Sequence, residues 1–224
     1  MSLSSAETIT FLYTDIEGST RLWEQQPEAM QTAMARHNAI LRQAIESNGG
    51  RVFRTAGDAF CASFVTAPAA LAAALSAQQA LHAETWGLAN PLRIRVVLHT
   101  CQAEEQDGDY VGSGLNRVGR LLSVCYGGQT LLSLATEELV RDHLPDQVSL
   151  MDLGQHRFRD LVRLEHVYQL VHPSLPSEFP PIKSLDTLPN NLPVQLTSFI
   201  GRQNEISEVI SLLNSTRLVT LTGS

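Results

Sequence analysis

The chain is poor in cysteine. Cys61, Cys101 and Cys125 are widely spaced and form no CxxC pair. Neither a disulfide framework nor a thiolate metal knuckle follows from them, so the reading is a reducing, cytoplasmic setting. Positive charge is also short: 16 Lys and Arg against 23 Asp and Glu give a formal net charge of −7. That balance excludes a nucleic-acid surface built on bulk positive charge, and no direct nucleic-acid contact is expected. Long apolar runs are missing too. The most apolar stretch, residues 67–83, is alanine-rich and broken by Ser76, Gln78, Gln79 and His82, which reads as a buried helix and not as a membrane span. The first residues lack a basic region followed by an apolar core and do not read as a signal peptide. With 43% hydrophobic and 17% charged residues, the 224-residue chain supports one sizeable packed domain plus further material.

Residues 8–13 are β-branched and aromatic and predict a strand. Gly18-Ser19-Thr20 follows with turn and N-cap chemistry. Over residues 27–47 apolar side chains recur at helical spacing, and Asn48-Gly49-Gly50 ends that helix. Residues 51–55 and 60–65 read as strands of a hairpin with Asp58 at its turn. A second long helix is predicted over 68–86 and a strand over 92–100. The order β-α-β-β-α-β implies an α+β class with a ferredoxin-like core, an antiparallel sheet with helices packed on it, and a C-terminal extension. Further on, 106–109 reads as a polar turn, 111–124 as a helix, 129–133 as a strand, 135–142 as a short helix and 148–171 as more strands. Six prolines between 173 and 193 mark an extended linker. After it, 205–213 reads as a helix and 218–221 as an apolar strand.

Two aspartates stand at the ends of strand-like runs. One lies in Phe11-Leu12-Tyr13-Thr14-Asp15-Ile16-Glu17, the other in Arg54-Thr55-Ala56-Gly57-Asp58-Ala59-Phe60. Taken singly, Asp15 reads as an N-cap and Asp58 as a turn residue. The strand order brings them to neighbouring positions if the first strand lies beside the hairpin. Two metal ions can activate an attacking hydroxyl and stabilise a leaving phosphate only where acids hold them about 3.5–4 Å apart. Asp15 and Asp58 suit that role, the Ile16 carbonyl adds a hard oxygen, and Gly18, Ser19 and Thr20 offer backbone N–H groups to phosphates. A further motif is Asp109-Tyr110-Val111-Gly112-Ser113-Gly114-Leu115-Asn116-Arg117-Val118-Gly119-Arg120. Asn116 and Arg120 are four apart and share a helix face, where an amide and a guanidinium suit a ribose oxygen and a phosphate. Alone, this motif also reads as a polar helix face with small packing residues. His37 and His99 read as structural histidines, Cys61 and Cys125 as small core residues, and Trp23 and Trp86 as packing.

Together these motifs, with Leu92-Arg93-Ile94-Arg95-Val96-Val97-Leu98-His99-Thr100 and Gly127-Gly128-Gln129, resemble class III adenylyl/guanylyl cyclase catalytic domains over about residues 6–171. The resemblance implies two Mg²⁺ or Mn²⁺ ions held by Asp15, Asp58 and the Ile16 carbonyl. It implies that Asn116 orients the ribose, Arg120 stabilises charge on the phosphates, and Arg54 and Asp109 read the purine. The reaction implied is attack of the ribose 3′-hydroxyl on the α-phosphorus of ATP, at sites shared across a head-to-tail homodimer. Three residues depart from the family pattern. Arg54 stands where adenylyl cyclases have lysine, Ala59 replaces a glycine after the second acid, where a positive φ is expected, and Cys101 replaces a glycine after His-Thr. They motivate two alternatives, a weak or inactive nucleotide-sensing module and a guanylyl cyclase.

The tail carries a separate resemblance. Leu196-Thr197-Ser198-Phe199-Ile200-Gly201-Arg202 and Arg217-Leu218-Val219-Thr220-Leu221-Thr222-Gly223 look like the opening of a STAND/NB-ARC signalling ATPase, stopping short of the phosphate loop. The expected organisation is a cyclase domain over 1–172, a linker over 173–195 and the start of an ATPase domain over 196–224, as a piece of a longer regulator.

Overall fold

The computed structural model describes residues 7–185, 203–216 and 219–220. The chain divides into two compact units, Met1–Leu188 and Pro189–Ser224. In the first unit the order is β1 (Glu7–Ile16), α1 (Ser19–Gln25), α2 (Pro27–Ser47), β2 (Arg51–Ala56), β3 (Ala59–Phe64), α3 (Ala67–Ala83), β4 (Ile94–Gln106), β5 (Asp109–Val111), α4 (Leu115–Val124), β6 (Thr130–Ser133), α5 (Leu134–Val140), β7 (Ser149–His156) and β8 (Glu165–Val171). The helix starts follow local chemistry. Pro27 and Pro68 lie in the first turns of α2 and α3, where the missing N–H costs nothing, and the Thr66 hydroxyl accepts from Ala69 N at 3.4 Å.

The sheet runs β2-β3-β1-β4-β6-β8-β7, with β5 paired to β4. Its first four strands form the expected ferredoxin-like core, each pair antiparallel. Beyond that core the sheet is extended by further strands. β6 joins β4 in parallel, because α4 supplies the crossover that a parallel neighbour requires. β4 also runs six residues further than expected and turns into β5, so residues 106–111 form a hairpin arm and the helix starts only at Leu115.

Period-two alternation gives the sheet two buried faces. Leu12, Ile16, Phe60, Ala62, Phe64, Val96 and Leu98 pack under α2 and α3. Phe11, Val97 and Leu131 face the other way, against Val118 and Leu121 of α4 and Tyr110 of β5. α4 is thus held by its apolar stripe, and its polar face is presented outward.

The proline-rich stretch read as a linker is, over residues 173–184, a strap without helix or strand. It is fastened to the domain. Phe179 stacks on Tyr126, the Tyr126 hydroxyl donates to Pro181 O at 3.2 Å, and Leu185 N donates to Arg157 O at 2.9 Å. In the second unit α6 (Gln203–Ser215) matches the expected helix and exposes Ile210 and Leu212. Residues 196–202 and most of the expected strand at 218–221 lie outside the described residues.

Candidate active site

The register of β1 on β4 places Asp15 directly opposite Arg95. The Arg95 guanidinium donates to Asp15 Oδ1 at 2.7 Å. Partial burial pushes the Asp15 carboxyl above its ordinary pKa. Arg95 opposes that shift, and the negative charges of Asp58 and Glu17 add to it. Asp58 comes to the same strand end from the β2–β3 turn, where its Oδ2 accepts from Ile16 N at 2.8 Å. The turn's left-handed residue is Gly57, with φ 62. Ala59 already belongs to β3, and the described positive-φ residues do not include it, so its methyl group does not strain the turn as the sequence reading expected. Glu17 continues from Ile16, and its Oε1 accepts from Gly127 N at 3.0 Å.

Two carboxylates on adjacent strand ends are a hard-oxygen donor set that suits Mg²⁺ or Mn²⁺. Among the described residues no group of three or more His, Cys, Asp or Glu side chains could hold a metal. A site on this pair would therefore be completed by backbone carbonyl, water and phosphate oxygens, the sparse protein coordination that Mg²⁺ accepts. Gly18 is the N-cap of the seven-residue α1, and no side chain caps that helix, so the expected N-cap chemistry of Ser19 and Thr20 is absent.

The second group of residues lies elsewhere on the sheet. Arg54 of β2 and Asp109 of β5 form an ion pair above an aromatic cluster of Phe11, Phe53 and Tyr110. Three residues beyond β5, α4 begins. Asn116 lines a cleft of 510 Å³ with Cys101, Gln102, Gly114 and Asp160. Arg120, one turn on, pairs with Asp160 of the β7–β8 connection. Arg117 pairs with Glu165 at 2.9 Å. Cys101 fits against Gly114: a Cβ on Gly114 would lie 2.6 Å from Cys101 Cβ, with the sulfur nearer still. The chain's departure at Cys101 thus fills the space that this glycine leaves open.

One protomer does not bring the two groups together. Asp15 faces Arg95, and Asn116 shares its cleft with Cys101, six residues further along β4. At about 3.4 Å per residue, Arg95 and Cys101 are about 20 Å apart along β4. Sequence reasoning missed Arg95 and Asp160, the internal partners of Asp15 and Arg120. Arg95 could be flagged as a cation within an alternating apolar strand, but its partner depends on a register that spacing does not give. Asp160 sits in a loop 40 residues from Arg120. His99 and His37 are buried, as structural histidines would be, but the Nε2 of each has no hydrogen-bond partner among the described residues. Burial pushes His99 down to about 4, helped by the Arg117 charge, and lowers His37.

The profile of the adenylate and guanylate cyclase catalytic domain matches residues 1–144. An uncharacterised protein of Mycobacterium tuberculosis is 42% identical over 203 residues, which cover 89% of this chain and 69% of that protein. An adenylate cyclase of Schizosaccharomyces pombe is 35% identical over 150 residues, covering 56% of this chain and 9% of that protein. Among solved structures, an adenylate cyclase of Trypanosoma brucei in its monomeric state superposes with a TM-score of 0.69 at 26% identity, covering 79% of this chain and 92% of that one. The adenylyl cyclase CyaB of P. aeruginosa shares the fold with a TM-score of 0.67 at 24% identity, over 75% of this chain and 95% of that one. The matched segment contains both acids, the Arg54–Asp109 pair and α4 with Asn116 and Arg120. By its profile and its fold, this chain belongs to the adenylate and guanylate cyclase catalytic-domain family.

Proposed function

We propose that the chain is an adenylyl cyclase protomer that converts ATP to 3′,5′-cyclic AMP and pyrophosphate, with each site shared between two copies. The observation that carries this reading is that Asp15 stands opposite Arg95, while Asn116 shares its cleft with Cys101, six residues and about 20 Å further along β4. A head-to-tail homodimer would set the Asp15 and Asp58 of one copy opposite the Asn116 and Arg120 of the other.

Asp15, Asp58 and the Ile16 carbonyl would hold two Mg²⁺ or Mn²⁺, which supply an acidified ribose 3′-hydroxyl and neutralise phosphate charge. The other roles belong to side chains and backbone of this chain. Asn116 would orient the ribose by hydrogen bonding, and Arg120, released from Asp160, would stabilise charge as the α-phosphorus is attacked. Gly18, Ser19 and Thr20 would offer backbone N–H groups to the phosphates. Arg54 and Asp109, already paired, would read the purine edge. An arginine there keeps the positive charge of the adenine-type lysine, and Asp109 is the adenine-type partner, which favours ATP over GTP. The three free thiols suit a reducing cytoplasm, and among the described residues no helix is long and apolar enough to cross a membrane. The second unit would open a STAND/NB-ARC-type ATPase that regulates the cyclase.

A second reading is a nucleotide-sensing module with little or no turnover. It is favoured by the internal pairing of Asp15 with Arg95, Arg54 with Asp109 and Arg120 with Asp160. Incubation with ATP or GTP and Mn²⁺ or Mg²⁺, followed by measurement of cyclic product, separates the readings. Cyclic AMP that disappears in Asp58→Ala supports the enzyme. Nucleotide binding by an intact dimer without product from either nucleotide supports the sensor. Cyclic GMP as the main product supports the guanylyl alternative.

A further inference from the structure

The family profile ends at residue 144, and the strap over residues 173–184 lies beyond it. Three of the ties that fasten the strap end on one short loop, residues 126–129. Phe179 stacks on the Tyr126 ring, with centroids 6.4 Å apart and planes 12° from parallel. The Tyr126 hydroxyl donates to Pro181 O at 3.2 Å. The third tie runs through two amides. Gln169 donates to Ser177 O at 2.7 Å, Gln129 donates to Gln169 Oε1 at 2.7 Å, and Tyr126 N donates to Gln129 Oε1 at 3.0 Å. Gln129 and Gln169 are each 2% exposed, and a buried amide that loses its acceptor costs far more than an exposed one.

The same loop holds the strand end that carries the acids. Gly127 N donates to Glu17 Oε1 at 3.0 Å, and Glu17 N donates to Arg93 O at 3.0 Å. Glu17 follows Ile16, and the peptide between them is planar and trans. With the Glu17 N–H aimed at Arg93, the Ile16 carbonyl points the opposite way. That is the side on which Ile16 N donates to Asp58. The joint has no slack, because a Cβ on Gly127 would lie 2.6 Å from Glu17 Oε2 and 2.8 Å from Arg93 Cβ. None of the roles above uses Glu17, Tyr126 or the strap.

We propose that Glu17 is a positioning residue for the Ile16 carbonyl and that the strap controls it, so that the acid site takes metal well only while residues 177–181 are docked on the loop. The proposal rests on the cyclase reading for the metal, and on the contacts for the coupling. Undocking the strap lowers metal affinity without touching either aspartate. By linkage, metal bound at the acids favours the docked strap by the same factor.

The test uses Mn²⁺ alone, with free Mn²⁺ followed by electron paramagnetic resonance. Uptake is assigned to the acids by its loss in Asp58→Ala. Phe179→Ala should raise the Mn²⁺ dissociation constant about three- to tenfold, the range that one aromatic stack can supply. Gly127→Ala, which pushes Glu17 from its seat, should weaken Mn²⁺ at least as much. Phe179→Ala added to Gly127→Ala should then change the affinity less than twofold, because the strap no longer has a seated Glu17 to act on. Lys183 is the only lysine in the sequence, so a lysine-specific protease reads the strap at one bond. Mn²⁺ should slow that cleavage in the unsubstituted protein and not in Asp58→Ala. Unchanged affinity in Phe179→Ala, additive weakening in the double variant, or cleavage indifferent to Mn²⁺ would overturn the proposal. Equal Mn²⁺ affinity across the strap and loop variants of a protein that makes cyclic AMP removes the strap's control alone. Strap-dependent Mn²⁺ affinity in a protein that makes no cyclic nucleotide upholds the coupling without the cyclase reading.

Discussion

The packing of Cys101 against Gly114 yields a prediction with a worked magnitude. Gly114 precedes α4 with φ −63 and ψ −31, a conformation that alanine adopts freely. The backbone term alone would make Gly114→Ala stabilising by about 0.4–1 kcal/mol. The new methyl group, however, would lie 2.6 Å from Cys101 Cβ. Carbon atoms pack at about 3.5–4.0 Å, so the overlap is about 1 Å, and overpacking of that kind costs about 1–3 kcal/mol. Gly114→Ala should therefore destabilise by about 1–2 kcal/mol. In a Cys101→Gly background the obstacle is gone, and the same alanine should stabilise by about 0.5 kcal/mol. The coupling between the two positions is then about 2 kcal/mol, measurable as a double-mutant cycle from urea midpoints at a common slope. Because α4 carries Asn116 and Arg120, the single variant should also lose cyclase turnover, by up to about a hundredfold for a displacement of about 1 Å, and the double variant should regain it. Additivity of the two substitutions within about 0.5 kcal/mol would refute the reasoning.

Other outcomes follow from the same geometry. Arg54 and Asp109 are each close to half exposed, so Arg54→Ala should change stability by less than about 1 kcal/mol. It should raise the KM for ATP by at least about tenfold and narrow the discrimination between ATP and GTP; an unchanged nucleotide preference contradicts the purine-reading role. His99, held down to about 4 when folded, titrates at about 6.5 when unfolded, so the unfolded chain takes up a proton that the folded chain refuses. Stability should fall by about 2 kcal/mol from this group between pH 7 and pH 5. His99→Gln should flatten that slope, leaving the part due to His37, and equal slopes in urea unfolding contradict the assignment. Phe179→Ala, which removes the stacking on Tyr126, should speed cleavage after Lys183 by a lysine-specific protease; an unchanged rate contradicts the fastening of the strap.

Much of this was legible in the sequence wherever burial imposes a period. β1, α2, the β2–β3 hairpin, α3 and the first part of β4 carry apolar residues at strand or helix spacing, and their order fixes the ferredoxin-like core. Asp15 and Asp58 stood out because each ends such a run. What the pattern hid was β4 beyond Cys101 and the short β5. There Glu104 and Glu105 belong to a hairpin arm that leaves the sheet, so charge masked the strand. The parallel pairing of β6 was hidden for a different reason. Strand direction depends on how α4 crosses over, and four apolar-to-small residues read the same in either direction. Partners were least legible. Arg95 meets Asp15 through register, Asp160 meets Arg120 through a loop, and the strap was masked by its four prolines, which mark extended chain without saying whether it is docked. The concern over Ala59 came from assigning a positive φ to the residue after the acid, whereas the turn places it at Gly57, before the acid.

The central claim is that each site takes its acids from one copy and its amide and guanidinium from another. It is tested most directly by mixing two inactive proteins, Asp15→Asn/Asp58→Asn and Asn116→Ala/Arg120→Ala, under conditions where subunits exchange. Random exchange makes about half of the dimers mixed, and each mixed dimer has one intact site of two, so about a quarter of the unsubstituted activity should return. A mixture as inactive as its separate components, in which mixed dimers are demonstrably present, would contradict the shared site.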